Sequence, residues 1–476
     1  MPVEARPGES RTWWTLVVLC LAQFMVILDI TVVNVALPSI GAELGLSPAS
    51  LTWVVTAYTL CFGGLLLLGG RLADTYGPRN TFLVGLVVFT VASVASGLAS
   101  DGATLIAGRT AQGVGAALIS PAALALVTTI FDGPRRHRAL GVWAAVAAAG
   151  GAVGVLIGGA LTELASWRWT FLVNVPVGLA VGVLVPMLVA AARPAHSRRI
   201  DLPGAVLATL ATGLLSYGLI RAGTAGWLSL DSGLPLLAGL VVAAVFLVVE
   251  RNTRDPLVPL GLLTRRSLIG GQLTMLVASG FMLSTFFLTS LVLQRVIGLS
   301  ALGTGLVFLP VGLVTLASTH IAVQALGRVG PAVTATAGFT LAAAGGVLMA
   351  FTPANDRWYG LLPGMLVLAA GAGACFVTAT TATMATVEPE RAGVMSGLLT
   401  TGHELGASLG VAAVSALAAA GIGLSTQPGV AASAAMPGFD RAYLTLAVAA
   451  AVMALVAPWV LSRDKLPIGD APAFIH

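Results

Sequence analysis

TWWTLVVLCLAQFMVILDITVVNVAL, residues 12–37, runs for 26 residues with one charge, Asp29. A bilayer core about 30 Å thick is crossed by about 20 apolar residues in a helix. The run is too long for the apolar core of a signal peptide and shows no clear cleavage site, although Arg6 and Arg11 precede it. It reads as a retained membrane span. The same reading extends over the whole 476-residue chain, which is 57% hydrophobic and 9% charged. Soluble proteins carry about 25% charged residues. So few charges cannot cover a water-facing surface, so most of the exterior must face lipid. Further spans are expected at 51–72, 80–99, 103–131, 139–164, 170–191, 203–220, 233–249, 267–293, 301–326, 331–351, 359–380, 391–420 and 442–461, making fourteen. The expected fold is all-α and polytopic.

With the N-terminus placed in the cytoplasm, eighteen of the 24 Lys and Arg residues fall on the cytoplasmic side and five outside, with Arg109 inside a span. This is the positive-inside bias, and both termini are expected in the cytoplasm. The net charge of +5 is dispersed singly or in small groups between apolar spans, which argues against nucleic acid as a partner. Cys20, Cys61 and Cys375 all lie in spans and form no C-x-x-C pair. Lys465 is the sole lysine and no phosphate-binding loop motif occurs. No cofactor is expected. Uphill transport would draw on an ion gradient or on a separate ATPase.

The chain repeats itself. Gly150, Gly154 and Gly158 recur as Gly402, Gly406 and Gly410, each 252 positions later. Arg138 and Gly141 correspond to Arg391 and Gly393, and Tyr76-Gly77-Pro78 to Val329-Gly330-Pro331. Two six-helix bundles, 12–191 and 267–461, therefore flank an inserted helix pair, 203–249, between tails 1–11 and 462–476. Repeated halves with a site between them are a recurring transporter plan.

Several residues carry chemistry. Gly70, Asp74, Gly77 and Arg79 lie in a short charged turn that could latch the halves, or could be a solvated turn with a helix cap. The fourfold spacing of Gly150, Gly154 and Gly158, with Gly159, allows close helix approach. It is either static packing or a sliding or sealing surface between halves. Asp29 lies about 24 Å from Trp13 at about 1.5 Å per residue, and Arg109 about 12 Å from the outer end of an oppositely directed span. The two share a depth, as a proton- or substrate-coupling pair or as a static ion pair. His403-Glu404 lacks the second histidine of a zinc motif. Glu404 is near mid-membrane and is a further coupling candidate, or a glutamate hydrogen-bonded to a neighbouring helix. Glu163 and Glu250, at span ends, read as solvated. Asn34, Gln112 and Gln272 are candidate cavity residues, and no metal site is expected.

These residues resemble the fourteen-helix drug:proton antiporters of the major facilitator superfamily. Leu28-Asp29-Ile30-Thr31-Val32-Val33-Asn34-Val35-Ala36-Leu37-Pro38 is similar to that group's first-helix signature, and Gly70–Arg79 to the superfamily's loop motif. Arg109-Thr110-Ala111-Gln112-Gly113-Val114-Gly115 resembles the fourth-helix motif, and Trp167-Arg168-Trp169-Thr170-Phe171 with Asn174-Val175-Pro176 the start of the sixth. The resemblance covers most of the chain and is densest in its first 180 residues. It implies proton handling at Asp29 and Arg109, a conformational latch at Asp74, Gly77 and Arg79, and an antiporter motif in the glycine-rich span. It implies a small-molecule substrate exchanged for protons across the inner (plasma) membrane by a monomer in the lipid bilayer. Three departures from the pattern stand out: Thr75 replaces a basic residue, Val155 a proline, and His403-Glu404 an Arg-Gln pair. Proton-coupled uptake uses the same fold. A receptor or scaffold would not need Asp29 and Arg109 in the bilayer, and an intramembrane enzyme would need a catalytic set that is missing.

Overall fold

The computed structural model describes residues 9–131, 133–189, 201–253, 256, 266–352, 358–384, 392–425 and 432–462. The tail expectations for 1–8 and 463–476, and the loop arginines Arg193, Arg198, Arg199, Arg254, Arg265, Arg357 and Arg391, lie outside these residues.

The described residues are helical throughout their regular structure. In chain order the helices are α1 Glu9–Leu44, α2 Pro48–Tyr76, α3 Pro78–Gly97, α4 Gly102–Ile130, α5 Gly133–Leu164, α6 Trp169–Leu172 and α7 Asn174–Leu188. They continue as α8 Leu202–Ala225, α9 Leu230–Asn252, α10 Arg266–Leu291, α11 Ala301–Ala350, α12 Leu362–Met384, α13 Ala392–Ser425 and α14 Ala432–Val460. Among the described residues, twelve stretches are long and apolar enough to cross a membrane. The expected span 170–191 is built from α6 and α7, and the expected spans 301–326 and 331–351 are one 50-residue helix bent at Gly330. A straight helix of that length would measure about 75 Å, far beyond a bilayer core.

Local chemistry sets the helix ends. Ser47, Asp101, Asp201 and Ser300 each accept a backbone N–H from three residues on, capping α2, α4, α8 and α11. The two Asp101 oxygens accept the Thr104 N–H and hydroxyl, which holds this carboxyl below its usual range. Gly77 has φ 90° and ends α2, and Pro78 starts α3. Gly330 has φ 81° and is followed by Pro331, so the same backbone reversal recurs in the second half. Only glycine adopts such angles without strain.

Helices α1–α7 and α10–α14 form two bundles. α8 and α9 pack on each other, and α8 also lies against α2 and α13, one from each bundle. Small residues let these helices approach. A Cβ on Gly69 would stand 1.9 Å from the Ala117 carbonyl oxygen of α4. A Cβ on Gly410 would stand 2.5 Å from the Gly280 carbonyl oxygen of α10.

The glycines of α5 divide between two roles. Gly150, Gly154 and Gly158 face Ile27, Thr31 and Val32 of α1, inside the first bundle, and not the other half as a sliding surface would require. Gly159 does face the second half, at the Ala301 carbonyl of α11. The physical reason is that the i, i+4 stripe follows one face of α5, and α1 covers that face.

At one end the bundles are sealed. Pro38 has no N–H, so the Asn34 carbonyl four residues back loses its helical donor. Ser290 of α10 donates to that carbonyl at 2.6 Å. Gln294 donates to Val35 O at 2.8 Å and Arg295 to Pro38 O at 2.6 Å. Residues 292–296 wind as a π-turn, which places Gln294 and Arg295 there. The Thr52 and Ser415 hydroxyls pair across the same end. Arg295 is thus half-buried in a contact between bundles and is not a solvated loop arginine. Removing a donor from a buried acceptor costs about 1–3 kcal/mol. Ser290→Ala combined with Arg295→Ala is therefore expected to weaken the sealed state. Spin labels at Ala42 and Leu299 should show a new, longer distance population; an unchanged distribution would mean that the seal is held elsewhere.

Candidate transport site

Two features lie between and within the bundles, and they are distinct. The first is a buried polar cluster in the first bundle. Asp29 and Arg109 form an ion pair with relative exposures of 0% and 1%. Asp29 Oδ1 also accepts Gln112 Nε2 and Asn174 Nδ2, each at 2.9 Å. Arg109 donates to Val54 O at 3.0 Å and to Gln112 Oε1 at 3.1 Å. Ser93 and Ser96 of α3 bond to Gln112. The guanidinium carbon lies 4.2 Å from the centroid of the Tyr58 ring. Five elements, α1, α2, α3, α4 and α7, thus hold one neutralised charge pair. A buried charge is tolerated when paired and fully hydrogen-bonded, and both conditions are met here.

The second is a cavity of about 670 Å³ between the bundles. It is lined by α1, α2, α4 and α5 from one half and by α10, α11, α12 and α13 from the other. α1 turns Ile27, Ile30, Thr31 and Asn34 to the cavity, whereas Asp29 is not among its lining residues. Gln112, expected in the cavity, is instead consumed by the Asp29 cluster. Gln272 is also off the wall, beside Gly402 of α13. Asn34 does line the cavity; its amide donates to Ile30 O at 3.0 Å, and its buried Oδ1 has no hydrogen-bond partner among the described residues.

Glu404 is on the cavity wall. Its carboxylate meets His403 Nδ1 at 3.2 Å, with side-chain exposures of 4% and 40% respectively. Glu404 also abuts α2: a Cβ on Gly63 would fall 2.5 Å from Glu404 Cβ. The rest of the wall is largely apolar, with Phe62, Trp143, Phe286, Phe308 and Phe376. The wall extends to Gly70, Arg71 and Asp74 at the end opposite the seal.

The loop residues are separated. Arg79 donates to Pro186 O of α7 at 3.3 Å, within its own bundle. Asp74 is exposed and makes no hydrogen bond or ion pair among the described residues. Gly70 has room for a side chain, since its nearest neighbour would be Pro121 Cβ at 3.8 Å; its neighbour Gly69 is the tight position. Glu250, expected to be solvated, is 2% exposed, close to the capping Asp201, because α8 and α9 pack over both. Glu163 accepts the Leu302 N–H of α11 at 2.8 Å. No group of three or more metal-ligating side chains occurs among the described residues.

Two pseudo-equivalent helical bundles enclosing an apolar, partly charged cavity are the plan of a membrane transporter. Residues 19–411 match the model of the Major Facilitator Superfamily, and the chain belongs to that family. The chain is 40% identical over 478 residues to the cephamycin export protein CmcT of Amycolatopsis lactamdurans, with coverage of 99% of this chain and 96% of that protein. It is 37% identical over 489 residues to the puromycin resistance protein pur8 of Streptomyces alboniger, with coverage of 99% and 96%. A lincomycin resistance protein of Streptomyces lincolnensis is 38% identical, covering 86% of this chain and 85% of that one. Among solved structures, a bacterial homologue of the human lysosomal transporter Spinster, inward-facing and unoccupied, superposes with a TM-score of 0.70 at 16% identity. That match covers 97% of this chain and all of the other, and it establishes the fold.

Proposed function

We propose that this chain exports small organic molecules of the drug or antibiotic class by exchange for protons. The observation that carries this reading is the drug-sized cavity shared by both bundles, closed by the α1–α10 seal and continuous with Arg71 and Asp74 at the other end. The names of the relatives support export, and a cavity of about 300–1,000 Å³ is the usual size of a site for drug-sized ligands. Splitting the bent α11 at Gly330 and counting α5 adds two crossings to the twelve. On this reading the chain crosses the inner (plasma) membrane fourteen times, as bundles 12–191 and 267–461 with the pair 203–249 between them. Both termini are cytoplasmic, the cavity opens to the cytoplasm, and the monomer is the working unit.

Asp29, Arg109 and Glu404 handle the proton in this scheme. Gly159 seals the halves at one end and Gly150, Gly154 and Gly158 hold α5 on α1. Gly70, Asp74, Gly77 and Arg79 form the turn that meets the second bundle when the cytoplasmic mouth closes. Each ligand shifts the two orientations by its differential affinity for them.

The test is efflux from vesicles under an imposed pH gradient, with compounds chosen by comparing the drug susceptibility of cells with and without the gene. Accumulation driven inward to the cytoplasm would identify an uptake symporter instead. Asp74→Asn is expected to slow turnover several-fold without lowering the amount of folded protein, because Asp74 is exposed and makes no hydrogen bond or ion pair among the described residues. Reduced expression with normal turnover of the remaining protein would make the loop structural.

A further inference from the structure

The wall of the cavity holds one carboxylate and one histidine in contact, and the pair has a definite chemistry. Glu404 is buried, and its partner among the described residues is His403 Nδ1 at 3.2 Å. His403 is far more exposed, and its ring lies 5.6 Å from the Phe376 ring. A single buried carboxylate can neutralise one cation at a time. Histidine is the side chain type that changes charge between about pH 5 and 8.

We propose that a protonated His403 and an organic cation with an aromatic body compete for Glu404, so that binding the cation expels the proton from His403. The proposal rests on the reading that this cavity is the transport site. In the resting arrangement the imidazolium Nδ1–H donates to Glu404. An arriving ammonium or quaternary centre replaces it, the imidazole gives its proton to cavity water, and the carboxylate keeps one counter-charge throughout. Protonation from the other face of the membrane then restores the imidazolium and releases the cation. No net charge is left buried at either stage, which is what a low-dielectric wall requires.

The surroundings suit a cation. Phe376, Trp143 and Phe62 line the same cavity, with Phe376 beside His403, and aromatic rings attract cations. The other charged residues of the wall, Arg71 and Asp74, lie at the cytoplasmic mouth. α10 and α12 present Met275, Ser279, Phe376 and Thr380 to the cavity, none of them titratable near neutral pH, and α8 and α14 present nothing to it. From α2, Gly63 abuts Glu404, and Tyr58 on the same helix stacks on Arg109 of the buried Asp29–Arg109 pair. Those two charges neutralise each other. Among the described residues of the wall, Glu404 is then the one uncommitted anion deep in the cavity, and His403 is its tethered competitor.

The experiment uses the purified full-length protein in detergent and ethidium as the probe. Equilibrium binding is measured by fluorescence polarisation from pH 5 to 8, with proton release read in weakly buffered solution. The wild type is expected to release about one proton per ethidium bound on the acid side, where affinity should fall by about tenfold per pH unit. His403→Gln should still bind ethidium but lose that pH dependence and the proton release. Glu404→Gln should lose binding by at least tenfold at every pH, and Glu404→Asp should retain it. An unchanged pH slope in His403→Gln would place the proton on Glu404 itself and overturn the exchange. Undiminished binding by folded Glu404→Gln, or no binding by the wild type, would overturn the cation site. If Glu404→Gln does not fold, the wild-type proton release and the His403→Gln slope still decide. Protection of cells against other compounds without ethidium binding would leave export standing and remove the exchange site. Ethidium binding with proton release, in a protein that protects against nothing, would do the reverse.

Discussion

Arg109→Ala is expected to abolish gradient-driven efflux and to lower the stability of the first bundle by about 3–5 kcal/mol, the usual consequence of stripping one partner from a buried ion pair. Asp29 would be left with the Gln112 and Asn174 amides, two neutral donors, in a site with no exposure to water. Asp29→Asn should be comparably damaging for the opposite reason, because the buried guanidinium of Arg109 would lose its counter-charge and keep only neutral oxygens as partners. Arg109→Lys keeps the charge but cannot reach Val54 O, Gln112 and Asp29 together through a planar fork, and should retain partial activity. Removing both charges at once, as Asp29→Asn with Arg109→Gln, should cost less stability than the sum of the single changes, because the double variant buries no unpaired ion whereas each single variant does. Thermal denaturation in detergent and vesicle efflux are measured on the same preparations. Full gradient-driven export by Asp29→Asn would remove the pair from proton coupling. Full stability with lost efflux would make it a coupling element and not a support.

Gly69→Val is expected to prevent correct packing of α2 on α4, whereas Gly70→Ala, one residue along, should be tolerated. The Ala117 carbonyl oxygen would lie 1.9 Å from a Cβ at 69, and it belongs to a helix backbone that cannot rotate away. The helices must separate, and overpacking of this kind costs about 1–3 kcal/mol or more. At Gly70 the nearest atom would be an ordinary van der Waals neighbour at 3.8 Å. Membrane yield and size-exclusion profile separate the two variants. Equal yields would show that α2 and α4 shift apart without penalty.

The cluster around Asp29 shows how far the residues could be read in one dimension. Asp29 and Arg109 were legible as a pair because a charge within a span is costly and both fall at one depth. Asn174 and Ser93 complete their shell, yet neither announces itself: a lone amide or hydroxyl in an apolar span can bond to its own helix. Gln112 was legible as a functional polar residue, but not in its place. It follows Arg109 by three positions and therefore shares its helix face, which points into the first bundle and not into the cavity. The glycines of α5 were legible as a packing stripe, and only their partner, α1, was hidden. The seal was hidden as well, since Ser290 matters because a proline in another bundle frees the Asn34 carbonyl, and Gln294 and Arg295 because the fold brings them to the Val35 and Pro38 carbonyls of that bundle.

Composition, span length and the spacing of the repeat determined by themselves that this protein is helical, membrane-embedded and built from two similar halves. Those properties follow from lipid solvation and helix geometry, which act along the chain. Which polar residues line the cavity and which are locked into the bundle was decided only by the tertiary structure. That division depends on the rotation of each helix about its axis, set by contacts between residues such as Gly158 and Val32 or Glu404 and Gly63 that lie far apart in the chain.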